Sequence, residues 1–331
     1  MIAKLQTLLW LQAGSCGGCS MALLDQFSRD MTGGEIRLLW HPSLSEQSGT
    51  EVQHILNAIA DGRTSLDFLC IEGAILHGPN GTGLFNRFAG TGRTMLDWVR
   101  TLAPLANHVV AVGTCAAYGG IIAGEGGVTS ASGVQYNDAR LGGALDKSFR
   151  SKSGLPVVNV SGCAPHPGWI TETLQALAAG VFVAADLDAL GRPKFFADHL
   201  AHHGCARNEF YEFKASAEHL SNGGCLMEHL GCKATQAVGD CNDRGWNGDG
   251  SCTKGGFPCV ACTSPGFENT QGFLTTPKIG GIPVGLPLDM PKAWFVALAA
   301  LSKSAMPKRV RVNAAADHVV LPPKNHRDNT E

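Results

Sequence analysis

Charge is scarce in this chain and almost balanced. Charged residues are 16% of the 331, and 28 acidic against 26 basic side chains leave a formal net charge of −2. That excludes the strongly basic surfaces expected of a nucleic-acid or anionic-membrane partner. Long apolar runs are missing too. The longest near the carboxyl end, Ala293 to Leu301, is much shorter than the roughly 20 residues a spanning helix needs, so no membrane anchor is expected. Neither a secretory signal nor a twin-arginine leader stands before the first strand-like segment, and the expectation is a soluble, cytoplasmic protein. What is present is 44% hydrophobic residues, enough for one large domain and a smaller one. So low a charge fraction also suits a subunit that hides much of its exterior against a partner.

Cysteine, in contrast, is abundant. Six of the twelve fall between Cys225 and Cys262, at Cys225, Cys232, Cys241, Cys252, Cys259 and Cys262, threaded through Gly, Asn, Asp and Pro. This stretch has too little apolar side chain to build a core of its own, so something must organise it. In a reducing compartment, clustered cysteines point to metal or redox chemistry before disulfides.

The first half alternates strands and helices. Leu5–Leu11, Glu35–Trp40, Leu66–Glu72, His108–Gly113 and Pro156–Ser161 read as strands. Met21–Phe27, Glu51–Ala60, Thr94–Ala103 and Gly168–Ala179 read as helices, and the glycine-rich region from Gly119 to Gly154 resists assignment. This alternation predicts an α/β domain with a parallel sheet covered on both faces. Cys16, Cys19, Cys115 and Cys163 each lie just beyond the carboxyl end of a predicted strand. Ligands of open α/β sheets bind in the crevice outside those ends, so four thiolates can converge there. The neighbouring glycines permit close approach, and backbone N–H groups can bond to cluster sulfurs. Cys70 lies mid-strand and reads as a small buried hydrophobe.

Beyond Ala185 the alternation gives out. His202 and Cys205 form an HxxC pair, with His199 and His203 as rival histidines, and Cys225 and Cys232 complete one set. Cys241, Cys252, Cys259 and Cys262 make another. Eleven cysteines and one histidine thus give three groups of four ligands. Zinc accepts either later set by type, which leaves a zinc-stapled scaffold as an alternative. The first set, spread over the sheet, is unlike a local zinc staple, and three soft four-ligand sites suit an iron–sulfur electron relay better.

At these residues the chain resembles the small, electron-transferring subunit of nickel–iron hydrogenases. The carriers are Cys16-Gly17-Gly18-Cys19, Glu72-Gly73-Ala74, Gly113-Thr114-Cys115, Gly162-Cys163-Ala164-Pro165, His202-His203-Gly204-Cys205, Gly231-Cys232-Lys233 and Pro258-Cys259-Val260-Ala261-Cys262. The resemblance covers about residues 5–270 and implies a flavodoxin-like domain over 1–185 followed by a largely irregular iron–sulfur domain over 186–270. In the remaining extension, 271–331, Asp289–Ala305 reads as a short amphipathic helix, expected to contribute to assembly with another subunit. The basic Pro307–Arg311 stretch reads as a solvated face. The resemblance further implies three [4Fe-4S] clusters. Cys16, Cys19, Cys115 and Cys163 match the proximal ligands; Cys241, Cys259 and Cys262, joined by Cys252, the medial; His202, Cys205, Cys225 and Cys232 the distal. Many respiratory relatives have proline where Cys252 stands, so a fourth thiolate implies a four-iron medial cluster. Oxygen-tolerant relatives carry two further cysteines at the positions of Gly18 and Gly120, which implies an ordinary proximal cluster here. Six residues separate Cys225 from Cys232, against five in the common pattern. No catalytic residue is expected in this chain. Glu72 is a candidate for proton handling or for proximal-cluster electrostatics, with a structural carboxylate as the bland alternative.

The implied activity is hydrogen oxidation at a nickel–iron centre in a partner large subunit, with electrons passing outward through this chain. The missing leader and anchor and the run His203–Phe213 resemble the cytosolic, hydrogen-sensing group. Its implied partners include a sensor histidine kinase or a second heterodimer. A soluble respiratory uptake enzyme is the alternative. The quinone-reductase-type subunit of respiratory complexes shares the amino-terminal plan but has no use for the cysteines after 200.

Overall fold

The computed structural model describes residues 5–30, 36–88, 90–124, 127–246, 248, 250–269, 273–285, 288 and 291–317. The alternating segments form β1 (Gln6–Gln12), α1 (Gly18–Asp30), β2 (Ile36–Trp40), α2 (Thr50–Ala60), β3 (Leu66–Glu72), α3 (Met95–Leu102), β4 (Ala106–Val112), α4 (Thr114–Tyr118), β5 (Val158–Val160) and α5 (Pro167–Ala178). The five strands lie in the order β2-β1-β3-β4-β5, with every neighbouring pair parallel. This is the flavodoxin-like order, and its switch point falls between β1 and β3.

Strand periodicity sorts the core into two layers. Leu8, Trp10, Phe68, Cys70, Val110 and Val112 face one side, where Leu23 of α1 and Trp169, Ile170 and Leu174 of α5 cover them. Leu9, Leu11, Leu69, Ile71, Val109 and Ala111 face the other, beneath Val52, Leu56 and Ile59 of α2 and Leu96 and Val99 of α3. Burying each of these large side chains is worth roughly 1.5–3 kcal/mol. Both faces are covered, as a parallel sheet requires, and all seven residues of β3 are buried. Thr94 caps α3 by accepting from the Asp97 amide, while the Asp97 carboxylate accepts from the Thr94 amide; this capping box fixes the start of α3.

The strand and helix positions read from sequence hold to within about two residues at the buried ends. The larger difference is α1, which starts at Gly18 and not Met21, so Cys19 sits in the helix's first turn. Glu35, expected in the second strand, lies outside the described residues, as do Asp289 and Met290 of the expected late helix.

After α5 regular structure is sparse, with short helices α6 (Asn208–Glu212) and α7 (Cys241–Arg244). The local core is built mostly of small side chains, Ala201, Ala217, Ala234 and Ala237, around Tyr211, Leu226, Met227 and Phe295. Polar bonds lash this region to the sheet domain. Trp169 Nε1 donates to Asp240 Oδ1 at 2.6 Å, and His166 Nε2 donates to the Gly245 carbonyl at 2.8 Å. Arg244 pairs with Asp240 and reaches across to Glu172. Ser161 Oγ donates to the Thr263 carbonyl at 2.8 Å, and the Thr114 hydroxyl donates to the Cys262 carbonyl.

The extension forms α8 (Lys292–Ser304) and α9 (Lys308–Ala315). The basic side chains Lys308, Arg309 and Arg311 are exposed, as expected of a solvated face, but the helix also has an apolar side. Val310 and Ala314 of α9 are buried against Ala215, Phe210 and Phe213, and Arg309 forms an ion pair with Glu209 of α6. Val310 and Ala314 are one helical turn apart and share the buried side, which leaves the charges on the solvated one.

Candidate metal centres

Three strand ends deliver the first sulfur set. The turn after β1 carries Cys16 and Cys19, α4 opens with Thr114-Cys115 directly after β4, and Cys163 follows β5. Their convergence is visible in their electrostatics. Burial pushes the Cys19 thiol well above its ordinary pKa, and the charges of Glu72, Cys115, Cys16 and Cys163 push it further. Cys115 is pushed up to about 11 by burial and by Cys163 and Cys16, against bonds from the Ile121 and Ile122 amides. Cys163 is raised by burial and by Cys16. Glycine makes the crowding possible. A Cβ on Gly113, whose φ is +90°, would meet the Cys19 sulfur, and one on Gly120 would lie 2.8 Å from that of Cys115. One on Gly18 would stand 3.3 Å from Cys16 Sγ.

Glu72 ends β3 opposite Gln12 of β1, at the switch point. Its Oε1 accepts from Ser15 Oγ at 2.8 Å and from the Cys19 amide at 3.2 Å. Its Oε2 accepts from Trp10 Nε1 at 3.1 Å, Gln12 Nε2 at 3.2 Å and the Ser20 hydroxyl. Burial alone would raise its pKa, but the bonds from Ser20, Ser15, Gln12 and Trp10 outweigh it and hold the carboxyl below its ordinary value. The buried charge therefore braces the Cys16–Cys19 turn. With a folded pKa below the unfolded one, roughly 4.3, Glu72 contributes stability above that value and loses it as pH falls through the depressed one. Glu72→Gln is expected to cost about 1–3 kcal/mol at pH 7. The difference from wild type should shrink as urea midpoints are measured down to about pH 3, and a pH-independent difference would sink this assignment.

A second set lies beside the first. Cys262 is pushed up to about 11 by burial and by the charges of Cys252 and Cys163, so the two sets are neighbours. Cys241 is pushed up to about 12 by burial, Cys262 and Cys252. Cys259 is raised well above its ordinary value by burial and by Cys232, Cys262 and Cys241, which makes it the link to the third set. There, burial followed by Cys232 and Cys205 takes Cys225 to about 12, so the altered spacing before Cys232 still brings Cys225 in. A small cavity is lined by His202, Cys205, Cys225 and Cys232 together with Arg207 and Thr253. His202 is buried, whereas His199 and His203 are exposed.

Backbone amides also bond sulfurs of the later sets. The Arg207 amide donates to Cys205 Sγ at 3.4 Å, that of Cys259 to Cys232 Sγ at 3.3 Å, and that of Ala261 to Cys259 Sγ at 3.4 Å. Composition gave no signal for three supporting residues. Arg207 donates to the carbonyls of Asn222 and Gly224, both at 2.7 Å, and of Thr253 at 3.1 Å, tying together the loops of the third set. Thr114 and Arg244 clamp the second region to the sheet. Cys70 is fully buried in the sheet core.

Buried thiols that raise one another's pKa are poorly placed to ionise alone, and a bound metal would supply the missing positive charge. Among the described residues no three His, Cys, Asp or Glu side chains close around a point fit for a single ion.

Two family models match successive stretches of the chain. Residues 16–177 match the 20 kDa subunit of NADH ubiquinone oxidoreductase, and residues 198–275 match the carboxyl-terminal part of the NiFe/NiFeSe hydrogenase small subunit. The F420 non-reducing hydrogenase II small subunit of Methanosarcina mazei is 33% identical over 294 residues, covering 80% of this chain and 74% of the relative. The chain belongs to the nickel–iron hydrogenase small-subunit family. The periplasmic [NiFeSe] hydrogenase small subunit of Desulfomicrobium baculatum is 32% identical, with 81% of this chain and 86% of the relative covered. A reduced, active Ni-Fe-Se hydrogenase from the same organism superposes with a TM-score of 0.70 at 31% identity, over 83% of this chain and all of that one. The actinobacterial-type NiFe-hydrogenase of Ralstonia eutropha H16 reaches 0.74 at 29% identity, over 93% of both chains. This hydrogenase small subunit therefore carries iron–sulfur clusters and relays electrons beside a large subunit that holds the nickel–iron site.

Proposed function

We propose that this small subunit serves a cytoplasmic, hydrogen-sensing hydrogenase and holds three [4Fe-4S] clusters. Cys16, Cys19, Cys115 and Cys163 hold the proximal cluster, Cys241, Cys252, Cys259 and Cys262 the medial, and His202, Cys205, Cys225 and Cys232 the distal. The observation that carries this reading is the unbroken order of the sets, joined by the neighbours Cys163 and Cys262 and by Cys259 and Cys232. When bound, such clusters store and release single electrons. The chain's own part is to fix their spacing, exclude water and tune them through N–H bonds and buried charge. Glu72, held ionised far below neutrality, acts in this reading as a fixed charge under the proximal turn and not as a proton carrier.

The sensing role rests on the His203–Phe213 run and on the extension beyond the matched residues. Trp294 and Leu301 of α8 are exposed apolar side chains on that extension, which we assign to assembly with a second heterodimer or a sensor histidine kinase. No two of the twelve cysteines are joined in a disulfide, which suits a reducing cytoplasm. Among the described residues no helix is long and apolar enough to cross a membrane.

Anaerobic purification of the native complex tests these points together. About twelve irons and twelve sulfides per chain are expected, without a three-iron EPR signal; Cys252→Ala should introduce one. Zinc without sulfide would end the relay. A co-purifying kinase is expected, whereas a cytochrome, or recovery outside the cytoplasm, would overturn the sensing assignment. A complex of unchanged size after deletion of residues 276–331 would remove the assembly role.

A further inference from the structure

Between α8 and the loop that carries Cys225 lies a cavity of about 180 Å³. Met227, Ile282, Pro283 and Phe295 supply apolar walls, and Cys225 itself forms part of the lining. Lys214 Nζ lies 3.8 Å from the centre of the Tyr211 ring and 4.7 Å from that of Phe295. Lys303 and Glu228 stand at the same cavity and pair at 3.4 Å. The relay does not account for this arrangement. A cluster ligand needs a dry wall, not a hollow flanked by aromatic rings and a cation.

We propose that the cavity binds a one- or two-ring quinone and is where a small organic acceptor collects the electrons that leave this chain. The proposal rests on the assignment of Cys225 to the distal set. Three features select this chemistry. The volume is below the roughly 300 Å³ at which clefts for drug-sized molecules begin, so a bare ring system fits and a dinucleotide does not. The walls offer flat apolar contact to a ring face. The Lys214 ammonium, set among the ring contacts, can donate to a quinone oxygen, a bond that strengthens as negative charge gathers there on reduction. The same cation disfavours a dicationic viologen, which makes viologen a contrasting probe.

The balance is simple. One quinone takes two electrons, arriving singly from hydrogen oxidised in the large subunit, and two protons from water at the cavity mouth. Both carbonyl oxygens become hydroxyls, and no bond to the protein forms or breaks.

The test uses the intact complex with menadione as quinone and benzyl viologen as reference acceptor under hydrogen. Ala299 lines the cavity at α8, so Ala299→Trp fills it from a helix that holds no cluster ligand. This variant is expected to lower kcat/KM for menadione by about tenfold or more while viologen reduction stays within about twofold. Lys214→Met should lower menadione reduction similarly, and Lys214→Arg should restore most of it. Calorimetry of menadione binding supplies a readout independent of turnover. It should give a Kd on the order of 10 µM in the wild type and no detectable heat in Ala299→Trp. Menadione reduction indifferent to Ala299→Trp, equal losses with both acceptors, or absent binding in the wild type would each overturn the site. If the wild-type complex reduces neither acceptor, the relay reading fails, while the calorimetric comparison still decides whether the cavity binds a quinone.

Discussion

Gly113→Ala is expected to destabilise the chain by about 2–4 kcal/mol and to leave the proximal site short of iron. Gly113 joins β4 to α4 with φ +90°, a conformation in which its amide donates to the Val160 carbonyl at 2.8 Å. An added methyl meets two penalties there. An L side chain at this φ is strained, and the Cβ is driven into the sulfur of Cys19. Gly154→Ala isolates the first penalty, because Gly154 has φ +83° but no atom within 4 Å of the added carbon. That control should lose only about 1 kcal/mol in a urea titration and keep its full iron content. Equal losses in the two variants would show that the Cys19 sulfur is not pressed against the β4–α4 turn.

The second large effect separates ligand from core cysteine. Cys19→Ser should remove about four irons per chain and cut hydrogen-driven viologen reduction by roughly 100-fold or more. The Cys19 sulfur stands among three other thiols at the carboxyl end of the sheet, and a serine hydroxyl is a poor soft ligand. Cys70→Ser makes the same change of atom at a fully buried site packed among Trp10, Phe68 and Val110. There burial pushes the thiol strongly upward and nothing calls for a metal. This variant should keep its iron and lose about 1–3 kcal/mol from burying a hydroxyl. Iron content and denaturation midpoint, measured on both, should move in opposite order. Iron loss in Cys70→Ser would contradict the division of the twelve cysteines into eleven ligands and one core residue.

The sheet was legible because burial on both faces writes itself into strands as unbroken apolar runs such as Phe68–Ile71. Cysteines at three strand ends were equally legible, since strand ends in a parallel sheet share one edge. The beginning of α1 was harder to read. Gly17 and Gly18 look like turn residues, yet Gly18 already belongs to the helix, which carries Cys19 into its first turn. The clamps were invisible for a different reason. Arg207, Arg244 and Thr114 act on backbone carbonyls or carboxylates dozens of residues away, and no local pattern marks such partners. In Lys308–Ala315, the positive charges masked a buried stripe of only Val310 and Ala314. Glu72 was found by its neighbours in sequence, but its state was not, because the donors that hold it ionised come from β1 and from the turn that follows.

The hydroxyl of Thr114 accepts the Gly162 amide at 2.9 Å and donates to the carbonyl of Cys262. A single side chain beside Cys115 thus grips the loops of both Cys163 and Cys262. Hinge motion between the two halves would have to break that grip before the loops of Cys163 and Cys262 could separate. In the proposed relay, this shared hydroxyl would hold the first inter-cluster step at a constant length.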